Sequence, residues 1–142
     1  MAVPSCYAGK VLFVDLSQGS IREETLSEQI YRDYIGGTGL GVRILYERMK
    51  PKADPLGPDN MMGFVTGPFV AAPLPGGGRY TVVTKSPTTS TWTDSSSGGF
   101  WGPELKWASY DALFISGKNC MDFKSGEYFY NFLVRITLQI NR

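Results

Sequence analysis

Three glycine-rich segments hold the residues with the most chemical potential in this chain. The first is Gly36-Gly37-Thr38-Gly39-Leu40-Gly41. Glycines let a backbone approach a ligand closely, and amides at a helix start attract phosphate. This cluster lies between two predicted helices rather than between a strand and a helix, so it is a poor dinucleotide fingerprint. A helix cap with close helix–helix approach is the competing reading. The second is Pro75-Gly76-Gly77-Gly78-Arg79-Tyr80. Its glycines expose backbone amides, and the planar guanidinium of Arg79 suits a phosphate or a carbonyl-rich heterocycle. A hairpin turn with a surface arginine accounts for the same residues. The third is Asp94-Ser95-Ser96-Ser97-Gly98-Gly99-Phe100-Trp101-Gly102. Hydroxyls and glycine amides together make a cradle for an anion or a polar ring, with Phe100 and Trp101 as walls for a flat ligand. The alternative is a solvated serine loop with its aromatics in the core.

Other chemistry is scarce. The chain has no histidine, which removes the commonest general base and the commonest imidazole metal ligand. Its two cysteines, Cys6 and Cys120, are far apart in sequence. Neither a zinc site nor a four-thiolate iron–sulfur cluster can be built from them alone. Asp15, Asp94, Glu104 and Asp111 suggest no acid/base pair. Asp111 precedes an apolar run, and Glu104 suits a helix start. Trp107, Tyr110 and Phe114 read as core aromatics.

The elements that would position these segments follow from periodicity and turn chemistry. Residues 10–16 and 21–25 read as a hairpin around Ser17-Gln18-Gly19-Ser20. Ser27 is placed to cap a short helix bearing Ile30, Tyr31 and Tyr34, stopped by Gly36 and Gly37. A second helix is expected just after the glycine cluster, with Leu40, Ile44, Leu45 and Met49 on one face, and Pro51 ends it. Residues 62–66, 80–84 and 111–116 read as strands. Residues 86–97 read as an exposed polar connection, 104–109 as one or two helical turns, and 128–140 as one or two further strands. Helices and strands mix without strict alternation, so the expected class is α+β, with a mixed or antiparallel sheet and short helices.

Composition narrows the partners. Hydrophobic residues are 42% and charged residues 19% of 142, ordinary for one globular domain. Fourteen basic residues stand against 13 acidic ones, a net charge of +1. That is no footprint for nucleic acid, and no basic run marks an anionic membrane surface. Apolar stretches fall short of the ~20 residues of a membrane helix. No signal-peptide pattern is visible, and sparse thiols fit a reducing compartment, so a cytoplasmic location is expected.

Taken in order, the segments resemble one family. Ile35-Gly36-Gly37-Thr38-Gly39-Leu40-Gly41 is similar to the G-G-x-G-L segment near the start of aldehyde ferredoxin oxidoreductases. Asp54-Pro55-Leu56-Gly57-Pro58-Asp59-Asn60 resembles the D-P-L-x-P-E-N loop that follows there, and Thr66-Gly67-Pro68 its T-G-P turn. Gly77-Gly78-Arg79-Tyr80 and Val82-Val83-Thr84-Lys85-Ser86-Pro87 are similar to G-x-R-Y and V-V-x-K-S-P. Ser97-Gly98-Gly99-Phe100, Pro103-Glu104-Leu105-Lys106, Tyr110-Asp111-Ala112 and Ser116-Gly117-Lys118 continue the match. Such collinearity is more specific than any one glycine motif.

The resemblance implies the first half of that family's N-terminal domain. It implies a cofactor in which tungsten, or sometimes molybdenum, is carried by two pterins, together with magnesium. The family oxidises aldehydes to carboxylic acids, with ferredoxin as a common electron partner. By position Arg79 binds the pterin phosphate region, with Gly78 beside it. Ser96, Ser97, Gly98 and Gly99 stand at the family's Asn-Ser-Gly-Gly segment, so the backbone carbonyl of Ser96 falls at the magnesium contact. An asparagine side-chain contact is lost with Ser96. The family's iron–sulfur ligands and the acidic residues near its metal belong to later domains, and Cys6 and Cys120 match neither. The expectation is one partial cofactor-binding domain over residues 1–142, with a divergent tail at 119–142 and no catalysis by this chain alone. A non-catalytic assembly module is the alternative. The apolar tail at residues 129–140, with half of a two-part domain missing, further suggests a homodimer, either simply paired or with exchanged strands.

Overall fold

Val11, Leu12, Phe13 and Val14 are all buried, the pattern of a strand covered on both faces. They form the centre of β1 (Lys10–Asp15), which lies inside a six-stranded sheet. The computed structural model describes residues 6–117. β1 pairs antiparallel with β2 (Ser20–Thr25), as the hairpin pattern predicts. Helices α1 (Glu28–Tyr34) and α2 (Gly37–Arg48) follow. Next come β3 (Met61–Thr66), β4 (Tyr80–Lys85), β5 (Trp92–Ser97), α3 (Trp101–Trp107) and β6 (Ala112–Ser116). The strand order is β2-β1-β6-β3-β4-β5. β1 and β6 are parallel, and every other pairing is antiparallel. The α+β class with a mixed sheet and short helices therefore holds. The strands expected at residues 128–140, the tail and Cys120 lie outside the described residues.

Helices α1 and α2 cover one face of the sheet. Leu40, Ile44 and Leu45, at helical spacing, meet Val11, Phe13, Val65, Val83 and Phe114. The second helix begins inside the glycine cluster rather than after it, so Gly41 is a helical residue facing the sheet. A Cβ on Gly41 would lie 2.7 Å from Val83 Cγ2. The close approach is thus between helix and sheet as well as between helices. On the other face α3 and Tyr110 cover Leu12, Val14 and Leu113. This helix starts at Trp101, earlier than expected, with Pro103 in its first turn, where a missing N–H breaks no helical bond.

Two expectations need correction. Residues 92–97 are a strand, not a connection. All six are exposed, so no alternation marks them, and pairing with β4 supplies the order. Trp107 is 64% exposed rather than core. It lies two residues past the buried Leu105, about 200° round the helix. Tyr110 and Phe114 are buried as expected.

Asp111 was expected only to lead into a strand, yet it is 1% exposed and holds four parts of the chain together. Its carboxylate accepts from the Ala8 and Gly9 backbone N–H groups at 3.1 and 2.7 Å, and from the Tyr31 hydroxyl at 2.8 Å. It also accepts from the Lys106 ammonium, which is itself buried. Its backbone N–H donates to Lys10 O, and its carbonyl accepts from both the N–H and the hydroxyl of Thr66. A buried charge is tolerable only when satisfied in this way.

Removing that carboxylate strands the Lys106 charge. Asp111→Ala is expected to lower stability by about 3–5 kcal/mol in urea unfolding. Tyr31 is pushed well above the ordinary tyrosine range, first by burial and then by the Asp111 charge. Burial, followed by the hydrogen bond to Glu23, pushes Tyr110 up to about 12. A phenol raised in the folded state contributes stability that is complete below about pH 10 and lost as pH rises through the folded value. Melting temperature should therefore fall above pH ~10, and Tyr31→Phe should make that fall shallower.

Candidate functional site

The strand register gathers the three glycine segments at one end of the sheet. Thr66 pairs with Tyr80, and Tyr80 pairs with Ser97, so the end of β3, the start of β4 and the end of β5 stand in a row. Helix α2 starts at the same end. A Cβ on Gly36 would lie 2.8 Å from Thr66 O, and one on Gly37 would lie 3.4 Å from the Thr81 hydroxyl. Ile35, just before the pair, has φ 62°. A β-branched residue rarely adopts this conformation, and such strain concentrates at functional junctions.

The loop from Gly67 to Arg79 is closed by its own backbone. Ala71 N–H donates to Gly77 O at 2.9 Å and Arg79 N–H to Gly76 O at 3.3 Å. The glycines there serve two purposes. A Cβ on Gly78 would sit 2.5 Å from Gly99 O, so the arginine turn and the serine–glycine segment touch through backbone. At Gly76, Gly98 and Gly99 a Cβ would meet nothing within 4 Å. All three are exposed, and the side-chain direction of each opens into free space. Arg79 is exposed, and among the described residues its guanidinium has no hydrogen-bond or ion-pair partner. Thus Gly78, Arg79, Gly98 and Gly99 come together at one site.

The serines divide. Ser96 pairs with Thr81 and lies on the sheet face of α2, whereas Ser97 pairs with Tyr80 on the face of α3. Their two hydroxyls cannot face one ligand from the same side, so a shared contact has to use backbone. The aromatic pair divides as well. Trp101 packs on Tyr80 and Phe64, with ring centroids 4.7 and 5.2 Å away. Phe100 is 81% exposed and remains available as a wall.

Sequence reasoning missed one link here. The Thr38 hydroxyl at the start of α2 donates to the Asp94 carboxylate on β5 at 3.0 Å. Both residues lay in segments singled out for glycine or serine content, but their meeting spans 56 positions. No local pattern signals it.

A family model for the aldehyde ferredoxin oxidoreductase N-terminal domain matches residues 11–122, a stretch that includes every residue of this site. The chain belongs to the aldehyde ferredoxin oxidoreductase family. A tungsten-containing aldehyde ferredoxin oxidoreductase of Pyrococcus horikoshii is 46% identical over 112 residues, covering 79% of this chain and 18% of the relative. An aliphatic sulfonate oxidoreductase, WOR-like subunit, of Pyrococcus furiosus is 38% identical over 115 residues, with the same coverage. Among solved structures, the active site complex BamBC of benzoyl coenzyme A reductase with 1,5-dienoyl-CoA matches with a TM-score of 0.78 and 38% identity. It covers 81% of this chain and 18% of that one. The chain therefore spans about a fifth of the length of these relatives. Among the described residues no helix is long and apolar enough to cross a membrane.

The two kinds of glycine give opposite expectations. Gly78→Ala forces the β4 and β5 ends apart and should cost about 1–3 kcal/mol in thermal or urea unfolding. Gly98→Ala meets open space and should stay within about 0.5 kcal/mol of the parent.

Proposed function

We propose that this chain supplies the part of a tungsten- or molybdenum-pterin oxidoreductase that holds the phosphate end of one pterin. The observation that carries this is the contact of the Arg79 turn, through Gly78, with Gly99 at one sheet end, beside the exposed Gly76 and Gly98. The fit is chemical. A guanidinium without a partner among the described residues and exposed glycines suit a phosphate, and the exposed Phe100 suits the edge of a flat ring. Ser96 lies on an edge strand, which leaves part of its backbone without ladder partners, so a magnesium contact through its carbonyl fits too. When bound, the metal–pterin would supply the redox chemistry, and this chain's residues bind and orient it.

The relatives' names support cofactor binding over substrate selection. One is named for aldehydes, one for aliphatic sulfonates and one for benzoyl-CoA, yet all share this stretch. Aldehyde oxidation with ferredoxin as electron partner, in the cytoplasm, is the whole-enzyme activity that this reading assigns. In this reading residues outside this stretch would complete the active site, including its iron–sulfur cluster, and this stretch would bind the cofactor without catalysing by itself.

A second reading, a non-catalytic assembly module, draws on the divided serines and on Ser96 in place of the family's asparagine. Metal analysis separates the two. Chain purified anaerobically from a cell that makes the cofactor should carry tungsten or molybdenum and an oxidised-pterin fluorescence signal at near-stoichiometric level. Absence of both leaves the assembly module as the better reading. Arg79→Ala should weaken cofactor retention by more than about tenfold, the size of one lost charge-assisted contact.

We infer further that the exposed β5 edge accepts a strand from a second copy of the chain, by simple pairing or by exchange. Sedimentation at micromolar concentration should then show a dimer, and a stable compact monomer would remove this inference.

A further inference from the structure

We propose that Thr38 and Asp94 are positioning residues, whose hydrogen bond sets where the ligand-facing end of β5 lies. The proposal rests on the reading of the Arg79–Gly99 site as a phosphate cradle.

β5 is held by β4 on one side, and all six of its residues are exposed. With no buried face, nothing apolar fixes its twist, and a strand of this kind opens at low free-energy cost. Its C-terminal end nevertheless carries Ser96 and leads into Gly98 and Gly99. Something must hold that end if their backbone is to meet a ligand in one geometry. Among the described residues, the Thr38–Asp94 bond is the one side-chain hydrogen bond that joins β5 to another helix or strand.

The bond is well placed for this task. Thr38 lies in the first turn of α2, and that helix is fixed by the buried Leu40 and Ile44 and by the contact of Gly41 with Val83. Asp94 pairs with Val83, so it lies on the same sheet face as α2. Ser96 follows two residues later on that face. The position of a packed helix is thus passed to an unpacked strand end. The carboxylate also gains from the positive end of the helix dipole. Because the pair is exposed, losing it should change little in the core.

The test uses the full 142-residue chain, with amide hydrogen exchange and an NMR titration with inorganic pyrophosphate as the probe. Thr38→Val keeps the shape of the side chain and removes its hydroxyl. It should speed exchange of the β5 amides by about tenfold, the size of one lost hydrogen bond, while β1 and α2 amides keep their rates. Pyrophosphate affinity should fall about fivefold or more. Thr38→Ser, which keeps the donor, and Asp94→Asn, which keeps an acceptor, should leave β5 exchange near the parent rate. If Thr38→Val folds with unchanged β5 exchange, the proposal is overturned. It is also overturned if Arg79→Ala weakens pyrophosphate binding while Thr38→Val binds and exchanges as the parent does. Failure of the parent chain to bind pyrophosphate, with β5 exchange still raised in Thr38→Val, overturns the cradle reading and supports the positioning role alone.

Discussion

One buried carboxylate governs how the parts of this chain are placed. Asp111 joins residues 8 and 9 before β1, the Tyr31 hydroxyl of α1 and the Lys106 ammonium of α3. Its own backbone continues the tie into Lys10 and Thr66. Each partner satisfies part of a charge that would otherwise be costly to bury. The group therefore specifies one arrangement of helices and strands in a way that apolar packing, which has no direction, does not.

That arrangement reaches the candidate site through a short physical path. Asp111 O holds Thr66 at the end of β3, and Thr66 O lies where a Cβ on Gly36 would collide. The glycine lets α2 start hard against the sheet. Gly41 then brings the same helix onto Val83 of β4, the strand that follows directly from Arg79. Each step is a close approach between backbones or between a backbone and a small side chain. The site at the sheet end is thus built from packing contacts that begin at the buried Asp111.

The design leaves the part of the molecule that carries the candidate site lightly held. β5 has one paired edge and no buried face, while β1 is covered on both sides. Binding segments are often drawn from the less stable part of a fold, where backbone groups remain free to meet a ligand. Here the free groups are those of glycines, so shape and hydrogen bonding come from main chain. A single arginine adds charge. This agrees with the proposed role in holding a cofactor, a role that needs no histidine.

The sequence by itself determined the local elements and the family. β-branched and apolar runs mark β1, β3, β4 and β6, and glycine and proline mark the ends of α1 and α2, because these signals depend on neighbours a few residues apart. Arg79, Gly78 and the Ser96–Gly99 segment were legible as candidates for the same reason, and their collinear order with the other motifs identified the family. β5 was not legible, since an exposed strand carries no periodicity and owes its order to a partner. Nor was the exposure of Trp107, which follows from α3 turning Leu105 toward the sheet and Trp107 away from it. Only the tertiary structure decided that Gly78 touches Gly99, that Ser96 and Ser97 face opposite sides, and that Asp111 is a hub rather than a strand's first residue. Those facts depend on pairing register and on contacts spanning up to 103 positions, and no local propensity encodes such distances.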